Sequence, residues 1–129
     1  MPRVLISESH EDVRRLLVRM LTRLGHEPVV VRIAEPEQLL GADVLIVEPA
    51  TPLSTVLAQA ACLVDPSLPL ICASVSDPPA ELAKLGVVFT AALVKPFTTE
   101  QLDAAIGQCL RGDQGADAHR APRREDRAA

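Results

Sequence analysis

The chain has no tryptophan or tyrosine and only two phenylalanines, Phe89 and Phe97. Proteins that bind single-stranded nucleic acid stack its bases on aromatic side chains, so this class of function is disfavoured. Long apolar runs are also absent. The apolar runs that do occur are only a few residues long, which is too short for a membrane span. The first residues do not resemble a signal peptide. We therefore expect a cytoplasmic protein that binds neither nucleic acid nor a membrane.

Cysteine is scarce, and the three that are present, Cys62, Cys72 and Cys109, have no C-x-x-C spacing. Each lies in an apolar stretch of sequence. This pattern predicts buried, reduced thiols rather than a metal or redox site.

Charge is distributed unevenly along the 129 residues. Residues 111–129 hold five arginines and four acids, with little apolar bulk, and this composition predicts a disordered tail. Residues 1–110 hold 8 basic and 13 acidic residues, a net charge of 8 − 13 = −5. An acidic domain is poorly suited to phosphate contacts with nucleic acid. We expect one domain over 1–110, followed by the tail.

Short apolar runs alternate with helical patterns along the first 110 residues. The runs predict strands over 3–7, 28–33, 43–47, 69–73 and 91–94. The intervening patterns predict helices around 13–24, 36–40, 54–63, 79–85 and 98–110. Ser9 with Asp12, and Thr98 with Gln101, have the spacing of helix N-caps. Pro28 favours an edge position for the second strand.

Strands that alternate with helices indicate an open, doubly wound α/β domain with a parallel sheet. In such sheets the ligand crevice lies beyond the carboxyl ends of the strands. The residues that follow the strands are therefore the candidates for function: Glu8, Ser9, His10, Glu48, Pro49, Ser74, Lys95 and Pro96.

Four segments in this order resemble the landmarks of a response-regulator receiver domain, the CheY-like fold. They are VLISESHEDVRRLL, ADVLIVEPATP, LPLICASV and LVKPFTTEQL, and together they place the resemblance over roughly residues 3–110. The resemblance implies a three-layer, flavodoxin-like α/β fold whose five parallel strands have the order 2-1-3-4-5. It also implies a role in signal transduction.

A receiver domain accepts a phosphoryl group on an aspartate after the third strand, beside a Mg²⁺ ion held by acidic residues. The resemblance places Glu48 at the phosphoacceptor position and Glu8 and Ser9 at the acidic pair. It places Ser74 at the position of the hydroxyl residue that contacts phosphate and Lys95 at the position of the lysine that does so. Ala92 occupies the position of an aromatic residue that moves when the domain switches. The Lys95–Pro96 step resembles one whose peptide bond is often cis, and we predict a cis bond at Pro96.

The differences from the receiver pattern weaken phosphoryl chemistry. Glutamate at position 48 moves the carboxylate outward by about 1.5 Å, which in-line transfer tolerates badly. Ser9 lacks a charge that would hold Mg²⁺, so Glu8 and Glu48 offer only a weak magnesium site. Ala92 has no ring to move. We therefore expect an atypical receiver that lacks ordinary phosphorylation-driven switching and requires no cofactor.

Glu48 has two interpretations of equal weight. In one it forms a salt bridge with Lys95 and partly replaces the phosphorylated state; in the other it is a solvated loop acid. Ser9 is interpreted as a helix cap rather than a metal ligand. His10 and His26 are expected to face solvent rather than to form a metal or acid–base site.

The leading functional hypothesis is a stand-alone, non-enzymatic receiver that acts by phosphorylation-independent protein contacts. In the family the partner surface corresponds to Pro79–Leu110 here, and homodimerisation through it is a further hypothesis. The first alternative is a working phosphoacceptor that uses Glu48 with Mg²⁺ and a histidine kinase as partner. The second is a small α/β enzyme that uses Glu8, Glu48 and Lys95 for acid–base chemistry.

Overall fold

The computed structural model describes residues 1–33, 35–75 and 86–112. Its elements are β1 (Arg3–Ser7), α1 (Glu11–Arg23), β2 (Glu27–Val30), α2 (Pro36–Leu39), β3 (Val44–Val47), α3 (Pro52–Val64), β4 (Leu70–Ser74), β5 (Ala91–Val94) and α4 (Thr99–Leu110). The helix predicted over 79–85 lies outside the described residues, as does the tail beyond Gly112.

The five strands form one parallel sheet in the order β2-β1-β3-β4-β5. This confirms the predicted doubly wound fold and its strand order. Strand β2 lies at one edge of the sheet, as the proline at its start predicted. Strand β5 forms the opposite edge.

Side chains that alternate along the strands divide the core between the two faces of the sheet. In β1, Val4 and Ile6 face one side and Leu5 faces the other. Helices α1 and α4 cover the first face with the buried side chains of Leu17, Leu21, Leu102, Ala105, Ile106 and Cys109. Helix α3 covers the second face with Leu57, Ala58 and Ala61. The result is the three-layer architecture that the sequence predicted.

The two predicted helix caps have opposite outcomes. Thr98 accepts a hydrogen bond from the Gln101 amide, and the Gln101 side chain accepts one from the Thr98 amide, so the capping box is confirmed. The cap at Ser9 is wrong. Helix α1 begins at Glu11, and its N-cap is His10, whose side chain makes no capping bond. The Ser9 hydroxyl is directed to Glu48 instead.

Most element boundaries differ from the prediction by a residue or two, and two of the differences have a clear physical reason. Strand β2 ends at Val30, which pairs with Ile6 near the end of β1, and Ile33 is 56% exposed. Helix α3 begins at Pro52, two residues early, because the Thr51 hydroxyl accepts from the Ser54 amide. Proline is tolerated in the first turn because its missing N–H would have no intrahelical partner there.

The three cysteines are free thiols, and Cys72 and Cys109 are fully buried as predicted, while Cys62 is half-buried. His26 is also half-buried and its Nδ1 atom is buried, so the prediction that it faces solvent was wrong. None of the helices in the described ranges is long and apolar enough to cross a membrane.

Candidate functional site

The carboxyl ends of four strands bring the predicted site residues to one edge of the sheet. Glu8 follows β1, Glu48 follows β3, Ser74 ends β4 and Lys95 follows β5. Backbone hydrogen bonds continue the sheet into this edge: the Glu48 amide donates to the Ser7 carbonyl at 2.9 Å, and the Lys95 amide donates to the Ser74 carbonyl at 2.8 Å. These hydrogen bonds position the backbone of Glu48 and Lys95, from which the two side chains extend.

Lys95 forms a partly buried ion pair with the buried Glu8. Its Nζ atom donates to Oε1 of Glu8 at 2.6 Å, and the side chains are 19% and 3% exposed, respectively. The second carboxylate oxygen, Oε2, accepts from the His10 amide at 3.1 Å. Both oxygens of Glu8 are therefore engaged by groups of the chain itself.

Glu48 is buried and contacts groups in the loops after β3 and β1. Its Oε2 accepts from the Ala50 amide at 2.8 Å, and its Oε1 accepts from the Ser9 hydroxyl at 3.5 Å. The residue is only 9% exposed. Both interpretations drawn from the sequence were wrong. Lys95 pairs with Glu8 and not with Glu48, and the Glu48 side chain is buried and not solvated.

Ser74 lies beneath this edge beside Cys72. The two residues are buried, and the Cys72 Sγ donates to the Ser74 Oγ at 3.8 Å. Burial raises the pKa of the Cys72 thiol, as does the charge of Glu48, whereas the Ser74 hydrogen bond and the charge of Lys95 lower it. Cys72 therefore lies within the electrostatic influence of both charged side chains.

Ala92 and Pro96 lie where the sequence placed them, on β5 and just after it. Ala92 is exposed and presents only a methyl group. The Lys95–Pro96 peptide bond is cis, which confirms the prediction.

Several supporting residues were not identified from the sequence. Arg14 of α1 donates to the backbone carbonyls of Glu8 at 3.1 Å and Ser9 at 3.4 Å, which ties the loop after β1 to the helix. The buried hydroxyls of Ser7 and Ser54 are 2.8 Å apart, and Thr51 donates to Ser54 at 3.0 Å. The Thr51–Ser54 spacing resembles a helix cap and could have indicated the second group.

The donor set of this edge does not fit a Mg²⁺ ion well. Magnesium requires near-octahedral oxygen ligands. The site offers the carboxylates of Glu8 and Glu48, and the Nζ of Lys95 lies directly on one of them. Across the described ranges, no three His, Cys, Asp or Glu side chains converge as a metal-binding group, and His10 and His26 join no such cluster.

An apolar pocket of about 350 Å³ adjoins Lys95. The remaining residues that line it are Val13, Leu16, Val75, Pro96 and Phe97. Leu16 and Val75 are 43% and 79% exposed, respectively. The Lys95 end of the ion pair therefore adjoins accessible apolar surface.

Comparison with protein-family models gave no match, and no curated protein matched the sequence. Similar folds do occur among solved structures. A CheY-like receiver domain protein from Methanospirillum hungatei JF-1 superposes with a TM-score of 0.74 at 16% identity, over 88% of this chain and 96% of that one. A response regulator receiver protein from Sinorhizobium medicae WSM419 has a TM-score of 0.71 at 24% identity, over 88% and 97%.

A third similar structure is the receiver domain of a sensor histidine kinase from Pseudomonas aeruginosa PAO1. It has a TM-score of 0.70 at 16% identity, over 85% of this chain and 98% of that one. That structure has a magnesium ion coordinated in its active site cleft. Sequence identities this low show a shared fold and do not by themselves transfer an activity. This chain therefore has the fold of the CheY-like response-regulator receiver domains.

Proposed function

We propose that this chain is an atypical receiver domain that acts in signal transduction through phosphorylation-independent protein contacts. The observation that carries the proposal is the partly buried pair of Lys95 with Glu8 at 2.6 Å. The proposal assigns the chain no catalytic activity and no cofactor, and it places the protein in the cytoplasm.

The Lys95–Glu8 pair opposes phosphoryl binding. A lysine binds a phosphoryl group through its unit positive charge, and here a carboxylate already neutralises that charge. A phosphoryl group at Glu48 would have to displace Glu8 from Lys95. Glu8 would then be a buried carboxylate without its cation, which costs several kcal/mol in typical proteins. The pair thus favours one fixed arrangement of the site.

The Glu48 carboxylate supports the same conclusion. Both of its oxygens are held by groups of the chain itself, one by the Ala50 amide in the loop after β3 and the other by the Ser9 hydroxyl in the loop after β1. Its longer side chain can bend back to these donors, and in-line attack requires a carboxylate that is held in a near-attack position. Glu48 is therefore assigned a structural role in the loop after β3.

The proposed partner surface is the Pro79–Leu110 face, of which 86–110 is described. Strand β5 is an edge strand, and between it and α4 lies a groove of about 560 Å³ lined in part by Ala92 and Val94. Val88 and Val94 are 65% and 54% exposed. Exposed apolar side chains beside a strand edge favour contact with another protein, including a second copy of this chain.

A second candidate function is a working phosphoacceptor that uses Glu48 with Mg²⁺ and takes its phosphoryl group from a histidine kinase. The observation in its favour is that Ser74 and Lys95 share one edge with two carboxylates. The ion pair must then open when Mg²⁺ and phosphate bind. Acid–base enzyme chemistry by Glu8, Glu48 and Lys95 has no such specific support.

An NMR titration distinguishes the two candidates. The uniformly ¹⁵N-labelled full chain is titrated with Mg²⁺ and then with Mg²⁺ plus beryllofluoride, which mimics a bound phosphoryl group. The matched control is the triple variant Glu8→Asp, Ser9→Asp, Glu48→Asp, which shortens both carboxylates and restores the missing acid. We expect no saturable shifts for the wild type and a saturable Mg²⁺ response for the variant. Saturable wild-type shifts at Glu8, Glu48, Ser74 and Lys95 would overturn the proposal.

Sedimentation velocity over a range of concentrations tests the partner surface with a second copy as the partner. We expect association that weakens when Val94 is changed to Glu. The control is Leu63→Glu, because Leu63 is 85% exposed on α3, outside the proposed face. Concentration-independent monomers, or equal effects of the two substitutions, would contradict homodimerisation through this face.

A further inference from the structure

A groove of about 680 Å³ lies between α1 and β2, at the edge of the sheet opposite to β5. Its lining is dominated by arginine: Arg14, Arg15, Arg19, Arg23 and Arg32, with Val18 and Val30 as apolar members and Glu11 as the one acid. The groove contains no residue of the described part of the Pro79–Leu110 face, and it shares with the Lys95 site only Arg14, which donates to the carbonyls of Glu8 and Ser9.

The groove concentrates positive charge on a chain whose net charge is −4. Glu11 is engaged with Arg15 at 2.8 Å. Within the described ranges, Arg19, Arg23 and Arg32 have no acidic partner, and all three are exposed. Arginines at 15, 19 and 23 form an i, i+4, i+8 row, and like charges at this spacing destabilise a helix. An anionic partner would offset that repulsion.

The spacing of the arginine row at positions 15, 19 and 23 indicates which backbone conformation of a partner fits it. Four residues of α-helix rise about 6 Å, so the three arginines follow one another at about this interval. Alternate residues of an extended chain lie about 6.6 Å apart on one side of the chain. An extended segment with acids at alternate positions therefore matches the row. Arg19 and Arg23 can each bind a carboxylate through two hydrogen bonds, and Arg15 can do so when its exposed pair with Glu11 opens.

We propose that this groove binds an extended acidic segment of a partner protein. The apolar side chains of Val18 and Val30 suit a peptide backbone and small side chains better than a highly charged polyanion. The net negative charge of the chain opposes nucleic acid, whose charges would extend well beyond the groove. Strand β2 is an edge strand of the sheet, and an extended segment can bond to the backbone of such a strand. This proposal is independent of the function proposed above.

The test is an NMR titration of the ¹⁵N-labelled full chain with a capped peptide that contains Asp-Ala-Asp-Ala-Asp. The control peptide has the same composition in the order Asp-Asp-Asp-Ala-Ala. The protein variant is Arg19→Glu, and its charge-matched control is Arg111→Glu, which lies outside the groove at the end of α4. Far-UV circular dichroism checks that both variants are folded.

We expect saturable shifts in α1 and β2 that weaken when the ionic strength rises from about 0.02 M to about 0.2 M. Arg19→Glu should weaken peptide binding at least about threefold more than Arg111→Glu, since exposed pairs contribute little individually. The alternating peptide should bind more tightly than its control. Absence of saturable shifts at low salt, or equal binding of the two peptides, would overturn the proposal. Tighter binding of duplex DNA or phosphatidylserine vesicles at the same residues would also overturn it.

Discussion

The Nζ atom of Lys95 lies 2.6 Å from Oε1 of Glu8, although the two residues are 87 positions apart in the sequence. Their strands, β5 and β1, are not neighbours, because β3 and β4 lie between them. Only long side chains can connect the ends of strands so placed. The extra methylene that separates glutamate from aspartate therefore favours this pair.

Replacing Lys95 by methionine is expected to lower the free energy of unfolding by about 2–4 kcal/mol, because it leaves the buried Glu8 carboxylate without a cation. Urea unfolding followed by circular dichroism measures the loss. The double variant Glu8→Gln, Lys95→Met should lose less than Lys95→Met alone. The control is Arg15→Met, which breaks the exposed pair with Glu11 and should change stability by less than about 1 kcal/mol. Equal losses for the buried and exposed pairs would contradict this account of Lys95.

Replacing Glu48 separates the roles of its hydrogen bonds and its charge. Glu48→Ala removes the acceptor for the Ala50 amide and should cost about 1–2 kcal/mol of unfolding free energy. Glu48→Gln retains an acceptor oxygen and should cost less. If Glu48 has only a structural role, both variants should still associate through the proposed partner face in sedimentation. Loss of association in Glu48→Gln, with stability unchanged, would show that its charge controls the partner surface.

Cys62 and Cys72 should make the stability of the domain fall at alkaline pH. Burial raises the pKa of both thiols above the ordinary value of 9.0. As pH rises, the unfolded chain therefore loses the two thiol protons before the folded chain does. The contribution of the protonated thiols to the free energy of unfolding is complete below pH 9.0, and it is lost as pH rises through the folded-state pKa values. Relative to a Cys62→Ala, Cys72→Ala variant, the wild type should lose stability above about pH 9 in urea unfolding. Parallel pH profiles would contradict this assignment.

Reversing the charge of Arg19 should stabilise the isolated domain even though it weakens the proposed peptide binding. Arg19→Glu places an acid four residues from both Arg15 and Arg23, and each i, i+4 pair contributes about 0.2–0.5 kcal/mol. Glutamate and arginine have similar helix propensities, so the change in propensity adds little to the free energy of unfolding. Thermal unfolding at low salt should show a higher midpoint than the wild type, and Arg19→Gln should fall between them. A lower midpoint for Arg19→Glu would show that the arginine row is not repulsive.

The sequence predicted the framework of the candidate site but assigned the wrong partners within it. Parallel strands end at one edge, so Glu8, Glu48, Ser74 and Lys95 were expected there, and they lie there. Which carboxylate Lys95 contacts depends on side-chain torsions and on the amides nearby. Ser9 shows the same limit: its spacing from Asp12 resembles a cap, but helix α1 begins two residues later, at Glu11.

Local sequence determined the features that depend on near neighbours. Short apolar runs set the strands, and Thr98 with Gln101 set the start of α4, because these features lie within a few residues of chain. The Lys95–Glu8 pair and the arginine groove were decided only by tertiary structure. Both join residues from different elements, and their distances exist only after the sheet has set the strand order and α1 has packed against it.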